Sequence, residues 1–402
     1  MSSKRFTRRD FLKTAGAVGA GSLVAAAPVP VSANTMEIAQ GQVVPKRTFG
    51  KSGIPVSILS LGGMFDIPNN QLMLRQALQW GVTYWDTANI YGGGRSEKGI
   101  GRFFKRYPQE RKNVFLVTKS GSFHPDGMTQ MLDRSLRRMN TDYIDLYFLH
   151  AISSIRPLTD AVRQWAEEAK SLGKIKLFGF STHSNMENCL LDASKLDWID
   201  GIMMTYNFRL MHEPDMKRAV AACVDAGIGL TAMKTMGGGQ VSADSDAEMA
   251  LAGRFLKQGY TDYQAKLKAV WDNPQISAIC SQMPNMTILK ENTAAGMDKT
   301  ALSSTDRQHL EQYASHTAST YCAGCSDICE SVLGNKLPVA DVMRHLMYAR
   351  SYGDRDRAED HFRQLPLETL DRLRHTDYAP AEKQCPRGLA IGRLMREAVK
   401  MA

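Results

Sequence analysis

Between residues 54 and 295 an apolar, strand-length run followed by a helix-length run with one apolar face recurs eight times. That alternation constrains the fold more than any other property of the chain. The strand-like runs fall at 54–63, 84–86, 114–119, 143–150, 175–181, 201–206, 229–234 and 277–281. Helical spacing fills 70–80, 96–106, 127–139, 159–172, 186–194, 214–226, a long stretch after 246, and 286–295. Parallel strands need a crossover helix between them, and eight such units over roughly 250 residues is the size of a (β/α)8 TIM barrel, an α/β fold. An open doubly wound sheet shares the alternation, but the unit count and the lack of a GxGxxG after the first run favour the barrel.

Four polar residues interrupt these runs at or just beyond their carboxyl ends. Asp86 and Tyr91 lie on either side of the step from the second run into a glycine loop, Lys119 ends the third run, and His150 ends the fourth. A parallel α/β barrel builds its active site at that end of its strands. The residue types suit reduction of a carbonyl, in which a hydride reaches carbon and a proton reaches oxygen. No side chain carries a hydride, so that part needs a cofactor. A free phenol, with a pKa of about 10, donates a proton well but is regenerated slowly near neutral pH. A lysine ammonium nearby is expected to lower that value, and an aspartate to pair with the lysine and fix it. Tyr91 is then the general acid, Lys119 its tuner and Asp86 the partner of the lysine; His150 orients the carbonyl or shares the proton transfer. Singly, each residue also has a structural explanation: a packing tyrosine, a capping aspartate, a core histidine. Together they read as one catalytic set.

The stretches DTANIYGGGRSE (86–97), LVTKS (116–120) and LYFLHA (146–151) resemble the Asp, Tyr, Lys and His blocks of the aldo-keto reductases, in order and at suitable spacing. The resemblance covers roughly residues 48–292. It implies NADP or NAD as cofactor, a small carbonyl or alcohol as substrate, and the same four catalytic roles. On the cofactor side it matches Ser181 to a carboxamide contact, and Glu291 and Asn292 to adenine contacts. Thr182 and Met203 stand where the family has Asn and Gln, and Met233, with Lys234 beside it, stands where an aromatic stacks on nicotinamide. The basic pair that receives a 2′-phosphate aligns with Gln282 and Ile288, leaving Lys290 or Lys234 as substitutes. Arg209, Lys217 and Arg218 read as a solvated surface.

Of seven cysteines, Cys189, Cys223 and Cys280 fall in apolar runs and read as small core residues. The other four are Cys322, Cys325 and Cys329 within eight residues, and Cys385 before Pro386. This pattern resembles the ligation of a ferredoxin-type iron–sulfur cluster, [4Fe–4S], and aldo-keto reductases that carry a C-terminal ferredoxin-like segment; it departs from them in the long insertion before Cys385. A structural zinc or two disulfides remain alternatives for the same four thiols. Residues 296–402 are expected to form a helical extension of the barrel, which spans 45–295.

The N-terminus carries Thr7-Arg8-Arg9-Asp10-Phe11-Leu12-Lys13, then an uncharged stretch ending in Val31-Ser32-Ala33. This is a twin-arginine signal over 1–33, which sends the chain to the periplasm or otherwise out of the cytoplasm through the twin-arginine export machinery. Pro28 and Pro30 and the glycines make the stretch a poor membrane span. The net charge is +9, and the surplus of four positive charges in 1–33 leaves +5 on the remainder. That is too mild to argue for nucleic acid. The leading expectation is an exported, nicotinamide-dependent reductase. Met203 and Met233 motivate a second, a barrel that binds or senses without turnover. A third is an iron–sulfur electron-transfer subunit with a redox partner. Neither the substrate nor the oligomeric state is legible in the residues.

Overall fold

The computed structural model describes residue 38, residues 41–240 and residues 246–402. The twin-arginine segment lies outside them, as do residues 241–245 of the polar stretch at 237–246. An antiparallel hairpin, β1 (Lys46–Thr48) and β2 (Pro55–Ser57), precedes eight parallel strands. These are β3 (Leu59–Gly62), β4 (Tyr84–Asp86), β5 (Phe115–Ser120), β6 (Ile144–Leu149), β7 (Ile175–Thr182), β8 (Gly201–Thr205), β9 (Gly229–Met233) and β10 (Ala278–Gln282). They pair in chain order, and β10 returns to β3 to close the barrel. The first strand-like run is thus two elements. Its first part belongs to the hairpin, whose Phe49 plugs the barrel floor: a Cβ on Gly201 or Gly229 would come within 2.8 or 2.5 Å of that ring.

Helices α1 (Gln71–Gln79), α2 (Arg95–Arg106), α3 (Pro125–Met139), α4 (Asp160–Ser171), α5 (Met186–Ala193), α6 (Pro214–Asp225), α7 (Asp246–Lys257), α8 (Asp262–Trp271) and α9 (Met286–Met297) surround the strands. Side chains alternate across a strand with period two, which sorts each strand between two cores. Tyr84, Phe115, Val117, Leu146, Phe148, Leu177 and Met203 fill the barrel. Trp85, Leu116, Tyr147 and Phe178 face the helices. Two residues on from an inward residue the chain points inward again, so Asp86 follows Tyr84, Lys119 follows Val117, and His150 follows Phe148.

Beyond the barrel come α10 (Ser304–His316), α11 (Ser326–Cys329), α12 (Val339–Ser351), α13 (Arg355–Arg363), α14 (Leu367–His375), α15 (Ala379–Gln384) and α16 (Ile391–Val399). Val342, Leu346, Phe362, Leu373, Leu394 and Met395 belong to a separate core there. The extension is moored to the barrel's carboxyl end. Ser351 Oγ donates to Gly239 O, Gln240 N to Thr320 O, and Asn207 Nδ2 to Tyr321 Oη. Arg209, expected on a solvated surface, is instead a buried strut: its Nε donates to Gly237 O and its Nη1 to Thr317 Oγ1, each at 2.7 Å.

Candidate active site

Asp86 and Lys119 meet at the barrel mouth, both buried. Lys119 Nζ donates to Asp86 Oδ1 at 2.6 Å, to Oδ2 at 2.7 Å and to Thr87 O at 2.8 Å. Its three protons are therefore all engaged. The Tyr91 ring lies over this ammonium, with the centroid 5.1 Å from Nζ. The same ring makes a T-shaped contact with His150, centroids 5.8 Å apart. The four residues that the sequence scatters over 65 positions are thus side by side.

Local chemistry holds the Tyr91 loop in place. Gly92, Gly93 and Gly94 take φ of 56°, 63° and 89°, a left-handed run that side chains resist. At Gly94 a Cβ would fall 2.3 Å from the Arg138 guanidinium. Arg138 uses that space to donate to Asn89 O at 3.0 Å and to Glu97 Oε2 at 2.9 Å. After His150 the chain turns through Ala151, φ 59°, whose N–H donates to Ser181 Oγ at 2.9 Å.

Burial governs the titration of the set. It would lower Lys119, but the Asp86 carboxylate, with Tyr91, overrides it and holds the ammonium above its ordinary value. Burial likewise pushes Asp86 up, against the pull of Lys119. For Tyr91 the expectation of a lowered pKa fails. Burial outweighs Lys119 and pushes the phenol up to about 12, because Lys119 is already neutralised by Asp86. Burial, then Lys119, Arg344, Arg357 and Lys234, push His150 down to about 3, so its imidazole is neutral at pH 7.

Several groups at the mouth come from positions that sequence reasoning missed. Cys280, expected to be core, points inward with Ala278 and shares the electrostatic surroundings of Asp86 and Lys119; strand parity alone could have found it. His183 follows β7, and its Nδ1 lies 2.7 Å from Lys234 Nζ. Arg344, Tyr348 and Arg357 reach over from α12 and α13. Arg357 Cζ lies 4.2 Å, and Lys234 Nζ 5.4 Å, from the centroid of the Tyr348 ring. A spacing of four puts Arg344 and Tyr348 on one helix face, but nothing in the sequence aims that face at the barrel.

The residues expected to contact the cofactor divide into two groups. Ser181, Met233 and Lys234 lie at the carboxyl ends of β7 and β9, on the same rim as the four. Glu291 and Asn292 sit on α9 outside the strand ring, where Asn292 Nδ2 donates to Ser281 Oγ at 3.1 Å. Met203 is buried inside the barrel, and Thr182 Oγ1 is spent on Ser184 O at 2.7 Å. Cys322, Cys325, Cys329 and Cys385 are free and line one apolar cavity with Ile328, Val339, Met343 and Pro386. Asn185 ties their loop to the end of β7: its N–H donates to Gly324 O at 2.9 Å and its Nδ2 to Ser326 Oγ at 2.9 Å.

Comparison with known proteins agrees with this fold. Residues 60–282, more than half of the chain, match the family model described as the aldo/keto reductase family. The chain belongs to that family. A curated aldo-keto reductase of Alternaria alternata is 25% identical over 263 residues, covering 54% of this chain and 71% of its own. One from Schizosaccharomyces pombe, whose name carries NADP(+), is 29% identical over 215 residues, covering 49% of this chain and 62% of its own. An aldo-keto reductase from Bacillus halodurans, solved in its holo form, superposes with a TM-score of 0.58 at 24% identity, over 67% of this chain and 96% of that one. The shared part is the barrel. Residues 5–25 match the twin-arginine signal sequence, which supports export by that route. Aldo-keto reductases are oxidoreductases that use nicotinamide cofactors on small molecules, and this chain shares their fold.

Proposed function

We propose that this aldo-keto reductase is an exported enzyme that reduces an aldehyde or ketone, or oxidises the corresponding alcohol, with Tyr91 as the proton donor to the carbonyl oxygen. The observation that carries this reading is the Asp86–Lys119 pair beneath Tyr91, with His150 at the edge of the phenol. The buried pair is a fixed positive and negative charge that cannot reorganise. The phenol above it stays protonated at neutral pH. The neutral imidazole of His150 donates a hydrogen bond to the same oxygen and positions it, while the surrounding side chains exclude water.

A bound nicotinamide, NADP or NAD, supplies the hydride. Ser181 fits such a role: its oxygen accepts from Ala151 N, and its own proton remains to be donated to a carboxamide. Met233 offers an apolar surface on the same rim, with Lys234 beside it between the cofactor and substrate sides of the mouth, and Glu291 and Asn292 would take the adenine end. Cys322, Cys325, Cys329 and Cys385 would hold an iron–sulfur cluster, [4Fe–4S], as an electron-transfer or structural group. Four free thiols around one apolar cavity suit it, and burial disfavours the thiolates of Cys322, Cys325 and Cys329 until a positively charged group is bound. The periplasm is the destination that best fits the signal.

Consumption of NADPH or NADH with a panel of aldehydes, compared between the wild-type chain and Tyr91→Phe, tests the reading. Equal rates would remove Tyr91 from its role. Nucleotide binding with no turnover of any carbonyl would favour a binding or sensor protein.

A further inference from the structure

The barrel mouth has a second cluster of charge, and it is cationic. Lys234 contributes from the barrel, and Arg344 and Arg357 from the extension, all partly buried around the Tyr348 ring. Lys234 Nζ has a neutral imidazole, His183 Nδ1, as its close partner at 2.7 Å. Arg357 stacks on Tyr348, and its Nη1 contacts the Met64 thioether. Among the described residues, the carboxylate that pairs with this cluster is Asp341, which accepts from Arg344 and lies 2.8 Å from His361 Nε2. The backbone at Lys234 is strained as well. Its φ is +55°, which a lysine adopts only when the surroundings impose it. Asn207 Nδ2 and the N–H of Gly237 hold its carbonyl at 3.1 and 3.0 Å.

Cations drawn from two separate parts of the fold into one partly buried recess repel one another and cost stability unless an anion joins them. Burial and the two guanidinium groups push Lys234 well below its ordinary value, and the same three cations lower His150 and His183. Asp341, His345 and His361 have the composition of a metal site. The imidazoles of His345 and His361, however, stack face to face at 3.5 Å, and the neighbouring cations would oppose a divalent ion as strongly as they would favour an anion.

Building on the reductase reading, we infer that this recess is an anion subsite for the substrate: Lys234, Arg344 and Arg357 bind a carboxylate or phosphate carried by the carbonyl compound whose oxygen meets Tyr91 and His150. The substrate is then an oxo acid or a phosphorylated carbonyl compound, and the extension serves to complete the pocket as a specificity element. The same chemistry could instead hold the pyrophosphate of the cofactor.

The test is direct binding to the full chain, which is independent of turnover. Succinate, as an unreactive dianion, should bind the wild-type protein by calorimetry. Its affinity should fall about tenfold or more in Arg357→Gln and recover substantially in Arg357→Lys, as expected for loss and return of a charge-assisted bond. NADPH affinity should be unchanged in both variants. No succinate binding, or equal binding in Arg357→Gln, overturns the proposal. A loss of NADPH affinity that matches the loss for succinate also overturns it and assigns the cations to the cofactor. Succinate binding in a chain that reduces no carbonyl would leave the subsite standing and remove the reductase reading alone.

Discussion

Lys119 Nζ lies within 2.7 Å of both carboxylate oxygens of Asp86, in a pair whose side chains are 1% and 3% exposed. Neither charge has water to fall back on. Lys119→Ala leaves a buried carboxylate without its cation, and the expected loss is about 3–5 kcal/mol in denaturant unfolding. Removing Asp86 as well should recover part of that loss, since no lone charge then remains. A double variant as unstable as the sum of the two single ones would show that the pair does not act as a unit.

Tyr91, held at about 12, stays protonated throughout the physiological range. Carbonyl reduction uses the phenol and should show no break between pH 6 and 9. Alcohol oxidation needs the phenolate, so its rate should climb about tenfold per pH unit below that value. Tyr91→Phe should cost about 100- to 10,000-fold in turnover with the fold intact by circular dichroism. A reduction profile that breaks between pH 6 and 9 would show that a group other than Tyr91 sets the proton transfer.

Stability should fall on acidification. His150 is lowered to about 3 and His361 to about 4, in both cases by burial first and nearby cations second. A depressed value means that the unfolded chain binds protons which the folded chain refuses. The contribution is complete above the ordinary histidine pKa of about 6.5 and is lost as pH falls through the folded values. Melting temperatures between pH 7 and 4 measure it, and His150→Gln should flatten the decline. An equally steep decline in that variant would exclude His150 as a contributor.

Anaerobically purified mature protein should contain about four irons and four sulfides and absorb broadly near 400 nm. Cys385→Ser should lose most of that iron while the barrel still folds, because the four thiols belong to the extension and β3–β10 have a core of their own. Zinc at one equivalent, or two disulfides by mass spectrometry, would replace the cluster with one of the other thiol chemistries.

Much of the barrel was legible because its information is local. Each strand run is marked by its apolar residues and each helix by its spacing. The period of two carries Asp86, Lys119 and His150 to the barrel interior from their inward neighbours Tyr84, Val117 and Phe148. The same parity would have placed Cys280 at the site, had it been applied there. The family resemblance rests on these local blocks, so it too could be read before any coordinates. What only the tertiary structure decided depends on segments far apart in the chain. Arg344 and Arg357 reach the mouth because Ser351, Thr320 and Tyr321 moor the extension to Gly239, Gln240 and Asn207, contacts that no local pattern encodes. Arg209 is a strut because Gly237 and Thr317 happen to close over it. The acidity of Tyr91 was misjudged for the same physical reason: a neighbouring charge can be guessed from sequence, whereas desolvation, which here outweighs it, is set by everything that packs around the phenol.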